Sequence, residues 1–188
     1  MLLNNRSFYL FFLLFIPGFI ISCSTREEHE IKKMIGKTVI LDSEFIYVDS
    51  ASFIAQSPFS TPVKILTTLD YNNCYECMLK PALGIEKLLS KIENGEKTEI
   101  IAFVQNVDVP KAQEVLKKFG MSTVLAIDSL DIFTKKNKLE KLLHRNRTFI
   151  LDKDNMIVFV GNPLIRPALI NSFLNTTEKL HKNNGAIR

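Results

Sequence analysis

The chain has 188 residues, a formal charge of +4 at pH 7, 46% hydrophobic and 23% charged residues, and three cysteines. So mild a basic balance is far from a nucleic-acid footprint, which needs lysine and arginine clustered on one face. The length allows one domain with a real core, and such a domain needs no disulfide scaffold to hold it together.

MLLNNR opens the chain with one positive charge, Arg6, and is followed by FYLFFLLFIPGFII and ISCS. A basic start, an apolar middle and a small residue before the cut are the layout of a secretory signal. The run is shorter than the ~20 apolar residues that span a bilayer, and Pro17-Gly18 would break it as a helix. Ile20-Ile21-Ser22-Cys23 resembles the bacterial lipoprotein box, an aliphatic residue and then a small one directly before cysteine. That resemblance implies cleavage before Cys23 and acylation of its thiol and new amino terminus. The alternative is an ordinary signal peptide with a chance cysteine. Several acyl chains on one residue anchor stably where a single chain binds only marginally. Residues 1–22 are thus read as signal peptide and 23–35 as lipid anchor and tether. Within the tether, STREEHE is polar and reads as solvated linker, its Arg26-Glu27-Glu28 only loosely resembling surface-export signals of Bacteroidota lipoproteins.

Residues 36–182 are expected to form the domain and 183–188 a flexible tail. A short helix closes at Ile31–Ile35, and Thr38–Val48, β-branched and aromatic, predicts one or two strands. Residues 49–62 carry Ser, Thr and Pro without periodicity and read as a loop. Val63–Leu69 is a strand, Asp70–Asn73 a turn, and Asn73 is placed to cap a helix over Cys74–Ile92. Thr98–Val104 is an apolar strand covered on both faces. Pro110 opens a helix to Phe119 that Gly120 stops, and Ser122–Ile127 is another strand. Asp128–Arg145 reads as helical or irregular, Arg147–Leu151 and Met156–Val160 as a hairpin, and Pro167–Leu180 as a last helix before a fraying HKNNGAIR. Strands alternating with helices imply parallel pairing with helices on both faces, plus an antiparallel edge.

NNCYECMLKP holds the other two cysteines, Cys74 and Cys77. Structural zinc needs four thiolate or imidazole ligands, usually in paired clusters. With Cys23 lipidated, two cysteines remain, and His29, His144 and His181 are not paired at ligand spacing, so no metal is expected. A purely structural disulfide would close a loop of a few residues, which gives the least entropic stabilisation. At a helix start it would also be easily reduced. Exchange chemistry is the third reading. A helix amino terminus favours an anion through its free N–H groups and dipole, so Cys74 can ionise and attack. Cys77, nearly one turn deeper on the same side, can resolve the mixed disulfide.

A strand, the NNCYEC turn and a helix resemble a thioredoxin fold, an α/β fold with a central mixed sheet, helices on both faces, and a C-terminal β-hairpin plus helix. The lipoprotein anchor together with RTFILDKDNMIVFVGNP resembles the membrane-anchored TlpA/ResA-like thiol–disulfide oxidoreductases, in particular divergent lipoproteins of Bacteroidota. The resemblance covers about Val63 to Leu180. It implies a reductase or isomerase of envelope client proteins, recharged by an upstream thiol reductant, needing no cofactor, and facing the periplasm, with surface exposure an alternative. A redox-inactive or sensor binding module on the same fold is the competing reading. A peroxidase is disfavoured, because no peroxidatic Thr-x-x-Cys is present.

The chain departs from that family at several positions. The family's cis-proline, two residues before the Thr148-Phe149 pair, is Asn146 here, and its peptides are expected to be trans because a non-proline cis bond costs about 3 kcal/mol. The tryptophan before the first cysteine is Asn73. An acid three residues after the second cysteine is Lys80, which favours thiolate, whereas Glu76 between the cysteines opposes it. Asp70 is a candidate proton relay to Cys77, or else a turn residue bonding its own backbone. The basic run Lys135–Arg147 reads as a solvated helix face with Leu139, Leu142 and Leu143 packed inward, or as a dock for anionic lipid or an acidic partner. His144 is expected at its boundary, not as a catalytic base.

Overall fold

The computed structural model describes residues 27–41, 45–51, 53–54, 60–71 and 73–187. The segment read as signal peptide and the lipidation position Cys23 lie outside the described residues. Among the described residues, seven strands form one mixed sheet in the order β2-β1-β5-β4-β3-β6-β7. They are β1 (Ile46–Val48), β2 (Phe53–Ile54), β3 (Lys64–Leu69), β4 (Glu99–Val104), β5 (Val124–Ile127), β6 (Thr148–Leu151) and β7 (Ile157–Val160). The helices are α1 over residues 27–34, then α2 (Tyr75–Leu89), α3 (Val109–Lys118), α4 (Ile132–Lys136) and α5 (Ile170–Lys182).

Strands β3, β4 and β5 run parallel, so each needs a crossover, and α2 and α3 supply them. Right-handed crossovers stepping in one direction across a sheet place their helices on the same face. Leu79, Ala82, Ala112 and Leu116 of those helices accordingly pack over Ala102 and Val104 of β4. Farther along the same face Ile65, Ile85 and Ile100 meet Phe173 and Leu180 of α5. On the opposite face Leu66, Ile101, Phe103 and Phe149 pack against Met34 of α1, Phe133 of α4, Leu139 and Leu142. Adjacent residues Ile100 and Ile101 therefore enter different halves of the core, as strand alternation requires. Both are almost completely buried, each removed from water at a gain of about 1.5–3 kcal/mol. β6 joins β3 antiparallel, and β7 joins β6 through the turn at Asp152, whose carboxylate accepts the N–H groups of Asp154 and Met156.

The expected alternation, hairpin and final helix are all present. Four local readings need correction. Residues 53–54, expected in a loop, form β2 on the sheet edge, paired with β1. The tether is helical from residue 27, and Met34 is 6% exposed, because that helix has an apolar core to cover. Residues 135–147 are not one helix. α4 ends at Lys136, Lys138 takes φ 56°, and the chain then runs irregularly, burying Leu139 and Leu142 but leaving Leu143 49% exposed. Residues 181–187 are docked and do not fray. Gly185 is buried at φ +79°, its N–H donates to the Leu180 carbonyl and its own carbonyl accepts from Lys153 N–H at 3.0 Å. His181, expected in solvent, lies against Thr98, Nε2 to Oγ1 2.7 Å, and burial lowers its pKa.

Candidate active site

β3 delivers the chain to the carboxyl edge of the parallel strands, and the turn after Leu69 reverses it into α2. Asn73 adopts φ 57°, a left-handed conformation that asparagine tolerates better than most residues. That kink leaves Cys74 extended, at φ −141° and ψ 104°, in the N-cap position of α2. Cys74 is therefore the cap, where Asn73 was expected. Its Sγ accepts the N–H of Cys77 at 3.1 Å, so a sulfur takes the place of the usual capping oxygen. The two cysteines are joined in a disulfide with their Cα atoms 5.2 Å apart. Cys77 lies inside the first turn of α2, as expected; Cys74 is half-buried and Cys77 exposed. The reason is the cap: it holds Cys74 against the turn, while Cys77, inside the first turn of α2, sits on a face that the neighbouring elements leave open.

Around the pair, Tyr71 and Tyr75 have ring centroids 4.8 Å apart, and Tyr75 Oη accepts the N–H of Asp108 at 2.9 Å. The latter bond ties the first residue of α2 to the N-cap of α3. Deeper in α2, Glu86 Oε1 accepts both the backbone N–H and the hydroxyl of Ser122 and of Thr123, at 2.6–3.2 Å. α2 is thereby fixed to the segment entering β5, which makes the cysteines part of a stiff element. Glu76 points to Lys118 of α3, with an N–O distance of 2.6 Å. Lys80 is exposed and shares with Cys77 a shallow depression of about 220 Å3 whose walls include Leu83, Phe119 and Met121.

Asp70 is exposed, and its carboxylate lies 3.1 Å from His144 Nδ1, an ion pair when the imidazole is protonated. Both line a polar cleft of about 540 Å3 at the carboxyl ends of β3, β4 and β5, together with Tyr71, Gln105 and Arg147. Asp128, also on that wall, is committed to the helix: its two carboxylate oxygens accept from Ile132 N–H at 2.7 Å and Phe133 N–H at 2.8 Å.

Asn146 is 0% exposed, in a short 3-10 turn just before β6, and no peptide bond among the described residues is cis. Its Nδ2 donates to Glu27 Oε1 at 2.8 Å. Arg145 grips the same carboxylate with two nitrogens, at 2.6 and 3.2 Å, and Arg166 adds a contact at 3.2 Å. Hydrogen bonds first from Arg145 and then from Asn146 hold the Glu27 carboxyl below the usual carboxylate range. Asn146 Oδ1 is buried and has no hydrogen-bond partner among the described residues. Sequence reading placed Glu27 in a solvated linker and did not connect it with Asn146. The signal that could have raised it is the acidic pair Glu27-Glu28 at a helix start, where carboxylates are favoured. Among the described residues, no group of histidine, cysteine, aspartate and glutamate is arranged to hold a metal ion.

No family model matches the chain, and no curated protein matches it significantly. Solved structures do. The chain is similar to a cysteine-to-serine mutant of Xylella fastidiosa PrxQ, at 19% identity and TM-score 0.56, covering 79% of this chain and 96% of that one. A candidate protein disulfide isomerase from Bacteroides thetaiotaomicron matches at 17% identity and TM-score 0.54, with coverages of 81% and 95%. A candidate thiol:disulfide interchange protein DsbE from Chlorobium tepidum matches at 12% and 0.51, over 76% and 99%. These are thioredoxin-fold proteins, and at such low identity the likeness establishes the fold: the chain has a thioredoxin-like fold.

Proposed function

We propose that the chain is an exported, lipid-anchored thiol–disulfide oxidoreductase of the TlpA/ResA-like type that reduces or isomerises disulfides of envelope client proteins. The observation that carries this reading is the N–H of Cys77 donated to Cys74 Sγ at the start of α2. A Cys74 thiolate would accept that bond and lie at the positive end of the helix, both of which favour the charged form. In the reduced pair, Cys74 thiolate attacks one sulfur of a client disulfide and expels the other as thiolate. Cys77, after losing its proton, attacks Cys74 Sγ, expels the second client sulfur and leaves the Cys74–Cys77 disulfide. The client gains two electrons and two protons, which an upstream thiol reductant returns to the pair. No cofactor takes part, and the reducing direction follows the TlpA/ResA resemblance.

Cys23 stands four positions before Glu27. Four extended residues reach at most about 14 Å, so an acylated Cys23 would hold α1 close to the membrane surface, facing the periplasm. Insulin reduction by the full-length protein, compared with Cys74→Ser, Cys77→Ser and the double variant, tests the function. Wild type is expected to exceed the double variant clearly, and equal rates would end the enzyme reading. A binding or sensor module is the second reading, favoured by Asn146: in place of a cis-proline, a buried side chain turns to Glu27. That reading predicts insulin inactivity together with an intact fold.

A further inference from the structure

Glu27 is held more fully than a residue of a solvated tether requires. Arg145 meets its carboxylate through Nε at 3.2 Å and Nη2 at 2.6 Å, Asn146 through Nδ2 at 2.8 Å, and Arg166 through Nη1 at 3.2 Å. A forked guanidinium with a second one and an amide beside it is a donor set suited to a carboxylate. Two guanidinium groups face one carboxylate, so this cradle keeps a net positive charge with Glu27 in place. The side chains of Arg145 and Arg166 are 47% and 42% exposed, which leaves the arginine side of the cradle open to solvent.

The cradle adjoins both elements that carry the cysteine pair. His144, one residue before Arg145, lies 3.1 Å from Asp70, which precedes Cys74 by four positions. The segment bearing Arg166 is tied to the same turn, Asn162 N–H donating to the Arg145 carbonyl at 3.1 Å. That segment also rests on α2, where a Cβ at Gly84 would stand 2.5 Å from Leu164 Cδ1. α1 itself is fixed at its far end, through buried Met34 and the Gly36 N–H donated to the Ile157 carbonyl at 2.8 Å. Glu27 can therefore leave the cradle without undocking the helix that carries it. Exposed pairs such as those with the two arginines are each worth about fivefold at most. A carboxylate tethered nearby by another bond has the effective concentration to replace it.

We propose that Arg145, Asn146 and Arg166 form a carboxylate-binding site for an acidic side chain of the client engaged at the cysteine pair. Glu27 fills that site from within the chain until the client's carboxylate displaces it. This rests on the exchange reading above and deepens it, for it selects clients with Asp or Glu close to the disulfide. The sulfur chemistry is unchanged. A client joined to the pair presents its carboxylate as an intramolecular group, whereas the same carboxylate on a free molecule competes poorly with Glu27. Removing Glu27 sharpens the preference for acidic clients, and removing an arginine erases it.

The first arm of the test follows occupancy of the site without cysteine chemistry. Acetyl-Glu-amide and acetyl-Gln-amide are added to full-length protein at equal ionic strength, and urea unfolding midpoints are compared. Acetyl-Glu-amide should raise the midpoint of Glu27→Ala, leave wild type unchanged, and lose its effect when Arg145→Gln is added to Glu27→Ala. Acetyl-Gln-amide should act on none of them. The second arm uses paired peptide disulfides with Glu or Gln at successive positions from the half-cystine. At the best spacing Glu27→Ala should reduce the Glu peptide faster than its Gln twin by about fivefold or more. Wild type should show a smaller ratio, and Arg166→Gln added to Glu27→Ala should bring it toward one. Should Glu27→Ala fail to fold, Glu27→Gln, which lacks the charge and keeps a partner for Asn146, replaces it in both arms. No midpoint shift with acetyl-Glu-amide, or a Glu-to-Gln ratio near one at every spacing, overturns the proposal. Either result with normal turnover of the Gln peptides removes the cradle alone. Turnover of every peptide no faster than by the double cysteine variant removes the exchange reading, and the cradle's role toward clients with it.

Discussion

The turn from Leu69 to Cys77 and the polar cluster at Asn146 both flank the end of β3, yet they are built from different distances along the chain. In the turn, a strand end, a left-handed asparagine and a capping cysteine lie close together in the chain, and the bond that matters spans three residues. In the cluster, Glu27 reaches Arg145, Asn146 and Arg166 across separations of 118, 119 and 139 residues. The difference teaches that the cysteine turn is built locally while the packing around it is not. A chain can keep the turn intact and still change the surface beside it, by exchanging one remote carboxylate.

The largest effect is expected where the chemistry is local. Cys74→Ser should bring insulin turnover down to the level of the double cysteine variant. The urea unfolding midpoint should move little, because a disulfide closing so short a loop constrains the unfolded chain least. A large stability loss would instead make the pair structural.

Glu27→Ala reverses that pattern. It strips the partner from Asn146 Nδ2, which is buried, at a cost of about 1–3 kcal/mol in unfolding free energy. The reactivity of the cysteines toward small thiols should remain. The pH dependence has a definite sign. The folded-state pKa of Glu27 is lowered, so its contribution is complete above the ordinary carboxylate pKa and is lost as pH falls through the lowered value. The gap between wild type and Glu27→Ala in urea melts should therefore be full at pH 7 and shrink on acidification. A gap independent of pH would separate the destabilisation from the ion cluster.

Gly185→Ala probes packing at the opposite end of the molecule. An added Cβ would stand 2.5 Å from the Pro62 carbonyl oxygen at φ +79°, and the left-handed conformation alone costs a non-glycine residue about 1–2 kcal/mol. Destabilisation with unchanged insulin turnover is expected from melts and assays on the same preparation. Smallest of all, Glu76→Gln removes an exposed pair with Lys118. Water and salt screen such a pair, so the urea midpoint should stay within replicate scatter.

Much of the fold was legible because its determinants are periodic or adjacent. The apolar run at Glu99–Val104 marks a doubly covered strand, and Pro110 and Gly120 bracket α3 through their own backbone constraints. The placement of Cys74 and Cys77 at a helix start was legible for the same reason. Less legible were the features settled by tertiary contact. β2 exists because β1 offers it an edge, and the last residues dock because Gly185 fits beside Pro62 and Lys153. The relative exposure of Cys74 and Cys77 was not legible. Helix periodicity gives the angle between two residues and says nothing about which neighbours cover each of them. The Asn146 position illustrates both limits, since the missing proline was visible in the sequence and the carboxylate that occupies its side chain was not.

The central claim, that Cys74 of this thioredoxin-like fold attacks disulfides, is tested most directly by trapping. Full-length Cys77→Ser protein incubated with insulin should form a covalent adduct that resists unfolding, dissolves on reduction, and maps by mass to Cys74. Absence of that adduct, with Cys74 shown by alkylation to be free and accessible, would contradict it.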